Sequence, residues 1–289
     1  MKKEKQEHIL EKMLSTGGDF AEIFIEDKKS TIFNYIDSNL DGYNINFSSG
    51  LGLRLAKDNN VYYAATNDFN SKNIDSIVDE LKENINSKVL YNYVSLNRLK
   101  KYKNKNKTHY TNEDIKTLFN NLDSKIRSKD ERINQVNISL QNTKQTVQIA
   151  RENGLYVSEE RERTRLYIIV SFKDKDKTCN ITYSYGKTIG FDLLDEIKYD
   201  EVIEELVKEG IDKLYAVPCI GGEMPVIIEN GFGGVIFHEA CGHAMEATSV
   251  ADGLSVLSHD LGNKIANEKV SIIDNGTISN EWGSSKIDD

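Results

Sequence analysis

The chain has 289 residues, of which 38% are apolar and 29% charged, with a formal charge of -9. That apolar share can build a core and lies outside the compositions that stay disordered, while the acidic balance argues against a general nucleic-acid binder. Cys179, Cys219 and Cys241 show no paired spacing, Met1–His8 is too charged for a signal peptide, and no apolar run approaches a membrane span, so the expected setting is the reducing cytoplasm, with no membrane partner.

In chain order, residues 4 to 15 place Ile9, Leu10, Met13 and Leu14 on one helical face, and Gly17-Gly18 ends that helix. His8 reads as a solvated helix residue. From Ala21 the period becomes two. Ile23 and Ile25 mark one strand, Leu51, Leu53 and Leu55 a second, and Asp58-Asn-Asn60 turns the chain into Val61-Tyr-Tyr-Ala64 as a hairpin. Gly50 and Gly52 within the second strand suggest a bulge or a close backbone approach.

Two amphipathic helices should pack on this sheet. One carries Ile74, Ile77, Val78, Leu81 and Ile85; the other carries Ile115, Leu118, Phe119, Leu122 and Ile126 behind Thr111-x-x-Asp114, which has the pattern of a capping box. The basic run Arg98–His109 between them reads as a solvated loop, because one short run in an acidic chain leaves little electrostatic footprint.

Residues 133 to 185 predict a twisted antiparallel meander. Val136, Ile138 and Leu140 alternate, Val147 and Ile149 follow, Asn153-Gly154 supplies a hairpin signal, and Leu166 to Phe172 and Ile181 to Tyr185 continue the period. Glu159–Arg165 carries both charge signs and reads as a solvated strand segment. A third helix is expected over 199 to 214. Pro225–Ile228 reads as a short strand leading through Asn230-Gly231 into a helix buried by Val235, Ile236 and Phe237, with Gly233 and Gly234 permitting close packing.

That last helix carries the chemistry, since His238 and His243 are two of only five histidines and Glu239 follows the first directly. Two imidazoles can hold a metal, and Glu239 stands where a general base would meet a metal-activated water. The spacing sets a physical demand. Histidines four apart differ by roughly 40° around an α-helix, whereas five apart they differ by about 140° and cannot reach one ion. A π-bulge absorbs one extra residue, and Gly242 within the interval eases it. Glu246 is a weaker candidate, supporting a ligand or purely structural; His259 and Asp260 read as loop residues, available to complete a provisional site, and Cys241 as a small buried hydrophobe.

The run from Pro225 to Glu246, followed by Ser255-Val-Leu257, Leu261–Ala266, Asp274–Thr277 and Ile287-Asp-Asp289, resembles the TldD branch of the TldD/PmbA metallopeptidase family, whose signature is His-Glu-x-x-x-His. Gly17–Glu22 and Gly50–Arg54 extend the similarity more loosely into the N-terminal region. The resemblance implies metal ligation by His238 and His243, Glu239 as catalytic base, zinc as the metal, and a third ligand from a cysteine in the C-terminal part of the family. It also implies a peptide or unfolded polypeptide substrate, admitted to a cavity lined by extended sheets, and a PmbA/TldE-type partner subunit or a homologous dimer.

The fold class expected is therefore α+β. Residues 1–190 form an N-terminal α/β domain with a largely antiparallel twisted sheet and amphipathic helices, 191–224 a connecting helix and linker, and 225–289 the beginning of a second, β-rich metallopeptidase domain with the motif helix. Family members continue past the Ile-Asp-Asp position, so the chain reads as the N-terminal portion of a longer member. The expected function is zinc-dependent hydrolysis of peptide bonds. The alternative is a catalytically incomplete fragment, or a non-enzymatic assembly or binding module, lacking the distal third ligand.

Overall fold

A computed structural model describes residues 1–85, 93–103, 106 and 108–287. The chain divides into two units, one formed by Met1–Ala216 with Gly276–Asp289 and the other by Val217–Asn275. Within the first, a seven-stranded sheet is built from β1 (Phe20–Ile36), β2 (Asn39–Lys57), β3 (Asn60–Thr66), β4 (Lys100–Lys103), β5 (Ile133–Arg151), β6 (Tyr156–Asp174) and β7 (Lys177–Lys187). The spatial order is β3-β2-β1-β5-β6, with β4 and β7 both on β6. All the pairings are antiparallel except β4 with β6, so the α+β class is borne out.

Turn chemistry sets the register. Asp37-Ser38 between β1 and β2 and Asp58-Asn59 between β2 and β3 all have positive φ, the paired left-handed conformation that matches strand twist in a two-residue hairpin. The β5–β6 turn uses Gly154 at φ 89°, as Asn153-Gly154 predicts. Gly52 marks a close approach: a Cβ there would come within 2.8 Å of the Tyr63 hydroxyl. The bulge falls elsewhere, at Asn34/Tyr35.

Helices α1 (Lys3–Leu14), α2 (Ser71–Glu83), α3 (Asn112–Arg127) and α5 (Tyr199–Leu214) enclose two cores. One joins Ile9, Leu10 and Met13 to Ile23, Leu53, Ile74 and Val78; the other joins Phe119, Leu122 and Ile126 to Ile138, Leu140, Leu166, Ile168 and Leu206. Ile23 pairs with Ala150 and Phe33 with Leu140, and directly opposed residues share a face, so both cores lie on one face of the sheet. Each fully buried Leu or Ile contributes about 1.5–3 kcal/mol. The short α4 (Leu193–Glu196) precedes α5. The Thr111 and Asp114 capping box forms in both directions.

Two expectations are corrected here. Within the basic run, Lys100–Lys103 is not loop but β4, parallel to Val157–Glu160; Asn104, Lys105 and Lys107 lie outside the described residues. Glu159–Arg165 is not wholly solvated. Glu159 and Thr164 are buried, on opposite faces of β6: the returning segment 276–287 covers Glu159, whose carboxylate accepts the backbone N–H groups of Lys286 and Ile287, and Arg161 donates to the Ile287 carbonyl at 2.7 Å, while the Thr164 hydroxyl accepts from Asn142 Nδ2 at 2.8 Å on the neighbouring strand.

The second unit is built differently. Its described residues contain short helical turns and no strand. The strand expected at Pro225–Ile228 is absent, with Ile227 94% exposed. A strand needs a neighbour to receive its backbone groups, and none lies beside it among the described residues. Nor are Val235, Ile236 and Phe237 buried, and Gly234 has nothing near enough to pack against.

Candidate metal centre

The motif segment is a chain of short helical turns of changing pitch. Phe232–Gly234 is a 3₁₀ turn, α6 (Val235–Phe237) is one α turn, His238–Gly242 is a π turn and His243–Met245 is again 3₁₀. Gly231, at φ 94°, starts the run, a conformation that costs glycine little. The π turn falls between the two histidines, where the five-residue spacing requires it. The His243 N–H reaches back to the His238 carbonyl, and the two rings stand edge to face with centroids 4.5 Å apart.

His238, Glu239 and His243 present ligand atoms within 4.8 Å of one another. His243 Nε2 lies 3.6 Å from Glu239 Oε2. Two imidazole nitrogens bound tetrahedrally at about 2.0–2.1 Å sit roughly 3.4 Å apart, so modest rotation of these exposed rings closes the gap. The two imidazole nitrogens suit a divalent ion, and a carboxylate lies beside them. On its other edge, His243 Nδ1 lies 2.7 Å from Glu246 Oε1. That hydrogen bond, with the Glu246 charge and the more distant Glu239 charge, raises the imidazole pKa above its usual 6.5.

Cys241, half-buried, is outside the group, as are His259 and Asp260. His8 is exposed on α1. Sequence reasoning left the role of Glu246 open; its spacing from His243 is the signal that points to it.

Residues 21–85 match PmbA/TldA metallopeptidase domain 1, 105–214 the central domain and 221–289 the C-terminal domain. The chain belongs to the PmbA/TldD metallopeptidase family. It is 25% identical over 284 residues to a metalloprotease TldD homolog of Haemophilus influenzae, covering 94% of this chain and 58% of that one. A metalloprotease of Methanocaldococcus jannaschii is 27% identical over 295 residues, covering 97% and 63%, and a TldD homolog of Buchnera aphidicola is 32% identical over 170 residues, covering 56% and 35%. The chain thus spans between about a third and just under two thirds of the length of these relatives.

Among solved structures, TldE from Thermococcus kodakarensis superposes with a TM-score of 0.61 at 14% identity, covering 89% of this chain and 58% of that one. A Thermotoga maritima protein described as a candidate modulator of a DNA gyrase gives 0.74 at 16% identity, covering 99% and 65%. At these identities the likeness is one of fold. Among the described residues no helix is long and apolar enough to cross a membrane.

Proposed function

We propose that this chain carries the metal-binding part of a zinc-dependent peptidase acting on small or unfolded polypeptides in the cytoplasm, in company with a TldE-type partner subunit or a homologous second chain. The observation that carries the reading is the convergence of His238, Glu239 and His243 across a π turn, in a chain whose curated relatives are named metalloproteases. A zinc ion held there supplies Lewis acidity toward a scissile carbonyl and toward water.

In this reading His238 and His243 hold the ion. Glu239, whose Oε2 lies 3.6 Å from His243 Nε2, would take a proton from the attacking water and pass it to the leaving amine. The exposure of Glu239 and His243, 64% and 51% for their side chains, favours a second reading, a metal-binding module that does not hydrolyse peptides unaided, because catalysis gains from excluding water.

The test is zinc content by elemental analysis, with peptide hydrolysis assayed beside it. About one zinc per chain, lost in the His238→Ala/His243→Ala variant, supports the metal reading. Hydrolysis lost in Glu239→Gln with zinc retained supports the catalytic one; zinc binding without hydrolysis favours the module. Zinc in neither wild type nor variant sinks both.

A further inference from the structure

The two nitrogens of the His243 ring face different partners. Nδ1 lies 2.7 Å from Glu246 Oε1, while Nε2 faces the His238–Glu239 side, 3.6 Å from Glu239 Oε2. Local backbone geometry produces this arrangement. His243–Met245 is a 3₁₀ turn, closed by the Glu246 N–H on the His243 carbonyl at 3.4 Å. In such a turn side chains three residues apart lie on the same side of the chain, which brings the Glu246 carboxylate to the Nδ1 edge of the imidazole. Glu246 itself is extended, at φ -60° and ψ 129°, and the chain changes direction there.

A carboxylate has no hydrogen to give, so Nδ1 must carry the hydrogen of that contact. In the neutral ring the lone pair is then on Nε2. An imidazole side chain left to itself prefers the opposite arrangement, with hydrogen on Nε2, which would blunt it as a ligand from that edge.

We infer that Glu246 is the positioning residue of the metal centre: its carboxylate holds His243 in the Nδ1–H tautomer and fixes the ring plane, so that Nε2 is presented beside His238 to the ion. The inference rests on the metal reading above and adds a residue that neither touches the ion nor moves a substrate proton. Carboxylate partners of ligating histidines work in this way, and losing one weakens metal binding about 10- to 100-fold.

The experiment uses the whole chain labelled with 15N in histidine. Long-range proton–nitrogen correlation, at a pH where the rings are neutral, reports the His243 tautomer without metal, and competition with a chelator reports zinc affinity. Wild type should show His243 with its hydrogen on Nδ1. Glu246→Ala should shift it to Nε2 and weaken zinc binding about 10- to 100-fold, with the His238 signals as an internal check on the fold. Glu246→Gln, whose amide oxygen still accepts from Nδ1, should retain the tautomer and most of the affinity. An Nε2–H tautomer in wild type, or a tautomer and affinity unmoved in Glu246→Ala, overturns the proposal. If wild type binds no zinc, the metal reading fails, while the metal-free tautomer comparison still decides what Glu246 does to His243.

Discussion

The His243 amide hydrogen-bonds to the His238 carbonyl, five residues back, where a regular α-helix would direct it to Glu239. This single register change lets two histidines five apart stand on one side of the helix. Gly242 lies inside it, and a Cβ there would come within 3.3 Å of His238 Nδ1, so the ring must give way by a few tenths of an ångström.

Gly242→Ala should therefore weaken zinc binding by less than the roughly 10- to 100-fold expected for losing a group that orients a ligand. The thermal midpoint of the Met1–Ala216 unit should not change, since Gly242 lies outside it. Chelator competition beside a melting curve checks both. Affinity equal to wild type would mean that the π turn accommodates a methyl group without moving His238.

Where the chain alternates or repeats strongly, the sequence was a good guide: helix α5, the capping box at Thr111, the hairpin at Asn153-Gly154 and the π turn demanded by the histidine spacing. It was poor where pattern and burial part company. The first half of β2, Asn39–Ser49, exposes Tyr43, Ile45 and Phe47, so no buried stripe announces it. Glu159 looks solvated in sequence because its partners, the amides of Lys286 and Ile287, are more than a hundred residues away. The strand expected at Pro225–Ile228 failed for the converse reason, having apolar residues but no neighbour.

Gly210 lies inside α5 directly against the Phe172 ring, where a Cβ would fall 2.1 Å from Cε2. Replacing a helical glycine by alanine ordinarily gains about 1 kcal/mol, but overpacking a filled core costs about 1–3 kcal/mol or more. Phe172 is 1% exposed and has no room to retreat, so the second effect prevails. Gly210→Ala should lower the urea midpoint, and adding Phe172→Leu should recover part of the loss by coupling between the two sites. A more stable single variant would show that helix propensity outweighs the packing.

Amide exchange should divide the chain at the unit boundary. Between Val217 and Asn275 no described residue is buried, and local opening there exposes little new apolar surface, so its free energy is small. Amides of that unit should exchange fast, while those of β5 and β6, buried around Ile138, Leu166 and Ile168, should be the slowest. Zinc should raise protection at residues 238–246 first, since a ligand stabilises the state that binds it. Slow exchange throughout 217–275 without metal would contradict this ordering.

The stability of the Met1–Ala216 unit should carry an acid limb set by paired aspartates. The Arg132 guanidinium holds the Asp130 carboxyl below its usual pKa, with N–H to O distances of 2.6 and 2.7 Å. At the β1–β2 turn, partial burial pushes Asp37 up, but hydrogen bonds from Gln135, Arg127 and the Val136 amide outweigh it, and the net direction is again downward. A carboxylate whose folded pKa is depressed contributes stability that is complete above its unfolded pKa and is lost as pH falls through the folded value. The melting temperature should thus be insensitive to these groups above about pH 5 and fall progressively below about pH 4. Asp37→Asn and Asp130→Asn should each lower the melting temperature at neutral pH and make the acid limb shallower, because an amide does not titrate and carries no charge to pair with arginine. A limb of unchanged steepness in the double variant would assign the acid sensitivity to other carboxylates.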